Sequence, residues 1–236
     1  MIDPPPPYRP GALARLGARV SPGIGQVLDT VQSRSNEWHE ASVAALDGSS
    51  PLWVALGDST AQGIGASAYD RGYVGQLGQV LTERGRRHDI VNLALTGARV
   101  DDVLERQLAT LHRLPRSASL ITCAIGSNDV LRVDTATVVN RRMRTLLARL
   151  RAVADDGGGT VIVATVPQGR NSLFARRLNE LIRRDAPRHG LCVADVARTI
   201  TGPFDQKVAA DRFHPNDRGY ADWTTAFVQA LDQAQE

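Results

Sequence analysis

The stretch Leu52-Trp53-Val54-Ala55-Leu56-Gly57-Asp58-Ser59-Thr60 decides the fold of this 236-residue chain. Its first five residues are apolar at successive positions, a pattern that predicts a strand buried on both faces of a parallel sheet. Polar residues follow at once. Glycine permits a tight turn, and a carboxylate with two hydroxyl groups suits the passage from a strand into a helix. We therefore expect a chemically active loop directly after this strand.

Apolar runs and helical patterns alternate through the rest of the chain. Five β-rich runs are predicted, at Leu52–Leu56, Asp89–Leu93, Leu120–Ile125, Thr160–Thr165 and Leu191–Ala194. Helices are predicted at Tyr73–Arg84, Val100–Arg113, Thr135–Ala154, Ser172–Arg184 and Asp217–Gln233. Because right-handed crossovers place helices on both faces of a parallel sheet, this order predicts an α/β protein. We expect a three-layer α/β/α, doubly wound domain with a mostly parallel five-stranded sheet and a site beyond the strands' C-terminal ends.

The first 50 residues precede this alternation, and we predict that they form an N-terminal extension to a main domain over residues 51–236. Residues 1–10 are rich in proline and are expected to be extended or disordered. Apolar residues at helical spacing predict an amphipathic helix over Gln26–Ala45. The simpler interpretation is that this helix packs on the outside of the main domain. The alternative is that it covers the substrate site or contacts a partner or a membrane surface.

Composition argues against several classes of function. The formal net charge of +3 comes from arginines spread among acidic residues, and Lys207 is the only lysine. A nucleic-acid-binding surface would concentrate basic residues and interleave them with aromatic ones. No segment has the roughly 18 apolar residues that a membrane span needs, and the N-terminus lacks the pattern of a secretory signal. We therefore expect a cytoplasmic protein with no nucleic-acid partner and no transmembrane segment.

The loop Gly57–Gly63 fits other glycine-rich motifs poorly. A phosphate-binding P-loop needs Gly-Lys-Ser/Thr, which is absent. The Gly-x-Gly-x-x-Gly of a dinucleotide site is not completed after Gly63-Ile64-Gly65, and the Gly-x-Ser-x-Gly elbow of the α/β-hydrolases is missing. Taken alone, the loop also suits an ordinary Asx or serine turn.

Three further signals follow other elements of the predicted sheet. Gly97 follows the second strand, where a glycine N–H can approach a substrate closely, and Asn128 follows the third, where its amide can stabilise an oxyanion. Asp211 and His214 are spaced so that the carboxylate can hold the imidazole in one tautomer, as a serine–histidine–aspartate mechanism requires. Each has an ordinary alternative: a turn glycine, a turn asparagine or a helix cap. Because all of them fall at one edge of the predicted sheet, together they predict an acyl-transfer site with Ser59 as nucleophile.

These segments resemble the sequence blocks of the SGNH or GDSL-type hydrolases, and the resemblance covers about residues 51–233. Gly57-Asp58-Ser59 matches the nucleophile block, Gly97 the glycine block, Gly126-Ser127-Asn128-Asp129 the Gly-x-Asn-Asp block, and Asp211 with His214 the final Asp-x-x-His. The resemblance implies a flavodoxin-like fold and a catalytic domain over residues 51–236.

The resemblance also implies a role for each site residue. Ser59 would be the nucleophile, His214 the general base and acid, and Asp211 the carboxylate that orients the imidazole. The oxyanion hole would combine the backbone N–H groups of Ser59 and Gly97 with the side chain of Asn128.

The predicted chemistry is acyl transfer through an acyl-enzyme on Ser59, which needs neither a metal ion nor an organic cofactor. With water as acceptor, the protein is an esterase, lipase or thioesterase that acts on small-molecule ester or thioester bonds. With a sugar hydroxyl as acceptor, it is an intracellular acyltransferase that moves a medium-chain acyl group from acyl-CoA or an acyl ester, for example onto a glucosylglycerate-type glycan precursor. A non-catalytic carbohydrate- or lipid-binding module on the same fold is a third interpretation.

Two groups of residues have both a functional and a structural interpretation. The arginines within residues 141–149 and 176–184 either meet the phosphates of CoA or form solvated helix faces, and we favour the solvated faces. Cys123 and Cys192 lie in apolar runs, so we expect buried free thiols rather than metal ligands.

Overall fold

The computed structural model describes residues 21–131, 135–157, 159–167 and 172–234. Five parallel strands form one sheet in the spatial order β2-β1-β3-β4-β5. The strands are β1 (Leu52–Gly57), β2 (Asp89–Asn92), β3 (Ala118–Ala124), β4 (Thr160–Ala164) and β5 (Cys192–Ala194). The strand order reverses between β1 and β3, and ligands of doubly wound sheets bind at such a switch point. The predicted fold class is confirmed.

The helices also follow the predicted order. They are α1 (Pro22–Leu46), α2 (Tyr73–Glu83), α3 (Val100–Asp102), α4 (Leu108–Leu111), α5 (Ser127–Leu131), α6 (Ala136–Gly157), α7 (Ser172–Asp185), α8 (Val196–Thr199) and α9 (Asp217–Gln233). The proline-rich residues 1–10 lie outside the described residues. Within the described ranges, no helix is both long and apolar enough to cross a membrane.

Three short elements differ from the prediction. The helix predicted over Val100–Arg113 is divided, because a π-helical turn at Val103–Gln107 separates α3 from α4. The helices α5 and α8 were not predicted. They have five and four residues, which is too short for a helical repeat of apolar positions to show in the sequence.

Each face of the sheet has its own hydrophobic core. The side chains of β1 alternate between them: Leu52, Val54 and Leu56 join one core, and Trp53 and Ala55 join the other. The first core contains apolar residues of α3, α4, α6 and α7, and the second contains residues of α1, α2 and α9. Two such cores make the three layers, with the sheet in the middle.

Helix α1 is part of this packing. Its Trp38 is 4% exposed, belongs to the second core and donates a hydrogen bond from Nε1 to the Gln62 carbonyl at 3.0 Å. Ser42 Oγ accepts a hydrogen bond from the N–H of Asn92 in edge strand β2 at 2.9 Å. Helix α1 therefore covers the β2 edge, where an unpaired strand would otherwise invite association with other chains.

The two cysteines are both free thiols within strands. Cys123 in the central strand β3 is buried, and that burial raises the pKa of its thiol well above the usual range. Cys192 is only half-buried, because β5 forms the edge of the sheet.

Because α1 packs into the second core, we expect loss of its core contacts to destabilise the whole domain. We expect Trp38→Ala to lower the free energy of unfolding by about 3–5 kcal/mol, because it leaves a large cavity in the second core. Val43 lies on the same helix with 42% of its surface exposed, so Val43→Ala should change that free energy by less than about 0.5 kcal/mol. Urea denaturation measures both. Equal effects of the two substitutions would show that α1 is not part of the cooperative core.

Candidate active site

Gly57, the last residue of β1, contacts strand β3 and the segment between β2 and β3. The side-chain amide of Gln107 accepts a hydrogen bond from the Gly57 N–H and donates one to its carbonyl, both at 2.8 Å. The same carbonyl accepts the N–H of Leu95, beyond β2, at 3.2 Å. Gly57 has φ of +145°, and an added Cβ would lie 2.2 Å from the carbonyl oxygen of Ala124 in β3. Only glycine fits here, so β1 and β3 approach closely at this end of the sheet.

The next residues form a hydrogen-bonded turn. Asp58 is buried, and its Oδ1 accepts hydrogen bonds from the Thr60 N–H at 2.9 Å and the Thr60 hydroxyl at 2.8 Å. Burial raises the pKa of Asp58, and the two Thr60 bonds and the nearby His214 offset part of that rise. The Asx turn considered as an alternative to a nucleophile loop is therefore present, and Ser59 lies at its centre.

Ser59, His214 and Asp211 form one chain of hydrogen bonds across distant parts of the sequence. His214 Nε2 lies 3.0 Å from Ser59 Oγ, and His214 Nδ1 lies 2.6 Å from Asp211 Oδ2. The backbone N–H groups of Phe213 and His214 both donate to Asp211 Oδ1 at 3.0 Å. Burial alone would raise the pKa of Asp211. Three interactions oppose this effect: the hydrogen bond from His214, the charge of His214 and the two backbone N–H bonds. Together they lower the pKa of Asp211 below its usual value, which favours the ionised carboxylate.

The structure places Asn128 beside this chain and Gly97 near Asn128. Asn128 Nδ2 donates a hydrogen bond to the Ala98 carbonyl at 2.9 Å and lies 3.5 Å from Asp58 Oδ2, the outer limit for such a bond. Gly97 precedes Ala98 and has φ of +81°, a conformation that glycine adopts readily. Within the described residues, neither the Ser59 N–H nor the Gly97 N–H donates a hydrogen bond. Both N–H groups therefore lack an acceptor within the described residues.

A cavity of about 1000 Å³ opens beside the hydroxyl of Ser59. Of the five residues predicted for the site, Ser59, Asn128, Asp211 and His214 line it, and Gly97 does not. Most of its other lining residues are apolar, among them Leu131, Ile200, Phe204, Phe213 and Trp223. Leu131, Phe204 and Phe213 are 48–63% exposed, so the cavity has an apolar rim that is accessible from solvent.

Several arginines proposed as contacts for CoA phosphates are paired with carboxylates instead. Arg144 and Arg184 contact Asp185, and Arg183 donates two hydrogen bonds to Asp195. Within the described residues, no arginine of the two groups lines the cavity. These arginines therefore add no support for a CoA donor.

Sequence reasoning missed two glutamines that hold the site together. Gln107 binds the Gly57 backbone, and it stands at helical spacing from Val103 and Leu111, where the pattern calls for an apolar residue. A polar residue at this apolar position of the helical pattern could have marked Gln107 in the sequence. Gln62 is buried, donates to Ser35 Oγ at 3.1 Å, and accepts a hydrogen bond from the Thr96 hydroxyl at 2.6 Å. Its partners lie 27 and 34 residues away, so no local pattern marks it.

The fold and the site together define a class of protein. A doubly wound parallel sheet that brings a serine, a histidine and an aspartate into contact at its switch point agrees with the resemblance to the SGNH hydrolases. The chain matches the GDSL-like lipase/acylhydrolase family over residues 55–221. The protein belongs to this family.

Solved structures share the fold at low sequence identity. The family 3 carbohydrate esterase of Clostridium thermocellum is 15% identical, with a TM-score of 0.68 over 79% of this chain and 98% of its own. TesA is 18% identical, with a TM-score of 0.66 over 78% and 99% of the two chains. LAE5, an α/β hydrolase enzyme from the metagenome of Lake Arreo in Spain, is 24% identical, with a TM-score of 0.64 over 80% and 98%. Comparison with curated protein sequences found no match.

Asp129, next to Asn128, is a buried carboxyl of which one oxygen lacks a hydrogen-bond partner among the described residues. It is fully buried, its Oδ2 accepts the Val100 N–H at 3.1 Å, and its Oδ1 has no partner among the described residues. Burial raises the pKa of Asp129 to about 6, which the Val100 bond only partly opposes. The folded protein therefore binds this proton more tightly than the unfolded chain does.

We expect Asp129→Asn to reveal this titration. A raised folded-state pKa stabilises the protein at low pH, and that stabilisation is lost as the pH rises through about 6. The free energy of unfolding of the wild type should therefore fall relative to that of Asp129→Asn between pH 4 and pH 7.5. Urea denaturation at both pH values measures the difference. A difference that does not change with pH would contradict the raised pKa of this buried carboxyl.

Proposed function

We propose that this protein is a serine-dependent carboxylic ester hydrolase that acts through an acyl-enzyme on Ser59. The observation that carries the proposal is the chain from Ser59 Oγ through the His214 imidazole to Asp211, with contacts of 3.0 and 2.6 Å. A serine hydroxyl is a weak nucleophile unless an adjacent base removes its proton. Here the base is in contact with the hydroxyl, and a buried carboxylate holds the base in place.

The first half of the reaction transfers the acyl group to Ser59. As Ser59 Oγ attacks the ester carbonyl carbon, its proton passes to His214 Nε2. The imidazolium is stabilised by Asp211, whose lowered pKa keeps it ionised. When the tetrahedral intermediate collapses, the bond to the alcohol oxygen breaks and His214 gives its proton to that oxygen. The alcohol leaves, and an acyl ester on Ser59 remains.

The second half releases the acid. A water molecule attacks the acyl carbon while His214 Nε2 takes one of its protons. The bond between the acyl carbon and Ser59 Oγ then breaks, and the same proton returns to the serine. The products are a carboxylic acid and the original enzyme, so the cycle uses no further reactant.

The oxyanion that forms in both halves requires preorganised hydrogen-bond donors. The N–H groups of Ser59 and Gly97 have no acceptor within the described residues. Asn128 is oriented by the 2.9 Å bond to Ala98 and holds its second N–H only loosely toward Asp58. That second N–H is free to turn to an oxyanion, which gives the three donors of the proposed oxyanion hole.

The cavity supports an ester with an apolar portion as substrate. Its wall is mostly aliphatic and aromatic, and Phe213 packs edge-on against the His214 ring with the centroids 4.8 Å apart. An apolar acyl or alcohol group gains about 25 cal/mol for each Å² of surface that it buries in such a cavity.

Substitution of the nucleophile tests the proposal directly. We expect Ser59→Ala to lower kcat/KM for a p-nitrophenyl acyl ester by at least about 10⁴-fold, since no acyl-enzyme can form. Ser33→Ala, at an exposed position of α1, is the matched control and should keep wild-type activity. Full activity of Ser59→Ala would contradict the proposal, provided that both variants unfold at the wild-type temperature.

Product analysis by mass spectrometry identifies the acceptor. The wild type is incubated with an acyl ester or an acyl-CoA panel, with and without sugar acceptors. A hydrolase releases free acid whether or not a sugar is present. If the donor is consumed only when a sugar is present, and the product is an acylated sugar, the protein is instead an acyltransferase that uses the same acyl-enzyme.

Removal of the Asn128 amide tests the oxyanion hole. We expect Asn128→Ala to lower kcat for the same ester by about 10²–10³-fold and to leave KM nearly unchanged, because the donor acts on charge that develops only in the transition state. Steady-state kinetics separate the two constants. A variant that raises KM with kcat intact would assign Asn128 to ground-state binding instead.

A further inference from the structure

Helix α1 lies before the family match at residues 55–221, yet its first turn reaches the proposed catalytic loops. Gly23 packs so closely on the loop that precedes Asp211 that an added Cβ would lie 2.2 Å from the Ala210 carbonyl oxygen. A side chain at this position would force the helix away from the loop. The glycine therefore sets the distance between α1 and the residue next to Asp211.

The following turns of α1 contact both halves of the site. Val27 and Val31 form a small buried cluster with Ile64, against which Ala209 packs. Ile64 belongs to the loop after β1, since its N–H donates to the Ser59 carbonyl at 3.0 Å. Ala209 belongs to the loop that carries the Asp-x-x-His residues. One face of α1 thus supports the loop of the proposed nucleophile and the loop of the proposed base.

The side chain between these contacts faces the cavity itself. Ile24 is half-buried and lines the cavity together with Ser59 and His214. Within the described residues, it is the only residue of α1 that does so. Its neighbours Gly23 and Val27 are held by the contacts above, which keep the backbone of Ile24 next to the cavity.

We propose that Ile24 is a specificity-determining residue, whose side chain limits the size of the substrate group that fits beside Ser59 and His214. The inference rests on the proposed ester hydrolysis but goes beyond it. It assigns part of the substrate site to a helix outside the family match. A single methylene in an apolar pocket changes discrimination by about 10-fold or more, so the size of this residue has a measurable effect.

The test compares Ile24→Trp and Ile24→Ala with the wild type and with Val43→Trp, a control of equal size at the exposed position of the same helix. Two ester series are used. One varies the acyl chain of p-nitrophenyl esters from acetate to decanoate, and the other varies the alcohol of butyrate esters from methyl to naphthyl. Ile24→Trp should lower kcat/KM for the largest members relative to the smallest by at least about 10-fold, through KM. Ile24→Ala should raise kcat/KM for the largest members relative to the smallest.

A shift in either series supports the inference and shows which end of the ester lies against α1. Unchanged ratios in both series, in variants that unfold at the wild-type temperature, would overturn it. A catalysis-independent measurement separates this result from a failure of the proposed function. In the Ser59→Ala protein, calorimetry gives the affinities of straight-chain alcohols from butanol to decanol. Addition of Ile24→Trp should weaken the binding of the longest alcohols more than that of the shortest. If the Ser59→Ala protein binds each alcohol equally well with and without Ile24→Trp, the inference is again overturned.

Discussion

The backbone of Gly57 is the constraint on which the site depends. Its N–H and carbonyl are both bound by the Gln107 amide, its carbonyl also receives the Leu95 N–H, and Ala124 leaves no space for a side chain. Buried backbone groups at the end of a strand need such partners, because water does not reach them. Here both partners, Gln107 and Leu95, come from the segment between β2 and β3. The positions of Ser59 and of its neighbours at the sheet edge follow from that junction.

A second set of contacts joins the two halves of the site from outside the sheet. Helix α1 packs against the loop after β1 and against the loop before α9, and Gln62 connects Ser35 of that helix to Thr96 beside Gly97. Each of these hydrogen bonds is buried or partly buried, so loss of one partner would leave the other unsatisfied. Helix α1, which precedes the family match, is therefore bound to the same loops that carry the proposed chemistry.

The strands and long helices were predictable because their signals are local. Strand β1 is apolar at every position and α9 begins and ends where predicted, at Asp217 and Gln233. The sequence did not predict the π-helical turn at Val103–Gln107, because this turn places Gln107 against Gly57, which lies 50 residues earlier in the chain. Helix α1 begins at Pro22, before the predicted start at Gln26, because proline suits a first helical turn.

The fold class, the family and the candidate residues Ser59, Gly97, Asn128, Asp211 and His214 follow from the amino-acid sequence alone. Those features depend on residue type, short spacing and apolar periodicity, which any stretch of chain carries locally. The folded chain was needed to show that the imidazole contacts a hydroxyl 155 residues away, that Gln107 and Gln62 hold the loops, and that Ile24 lines the cavity. Such contacts arise where separate elements pack together, and no local pattern records which surfaces will meet.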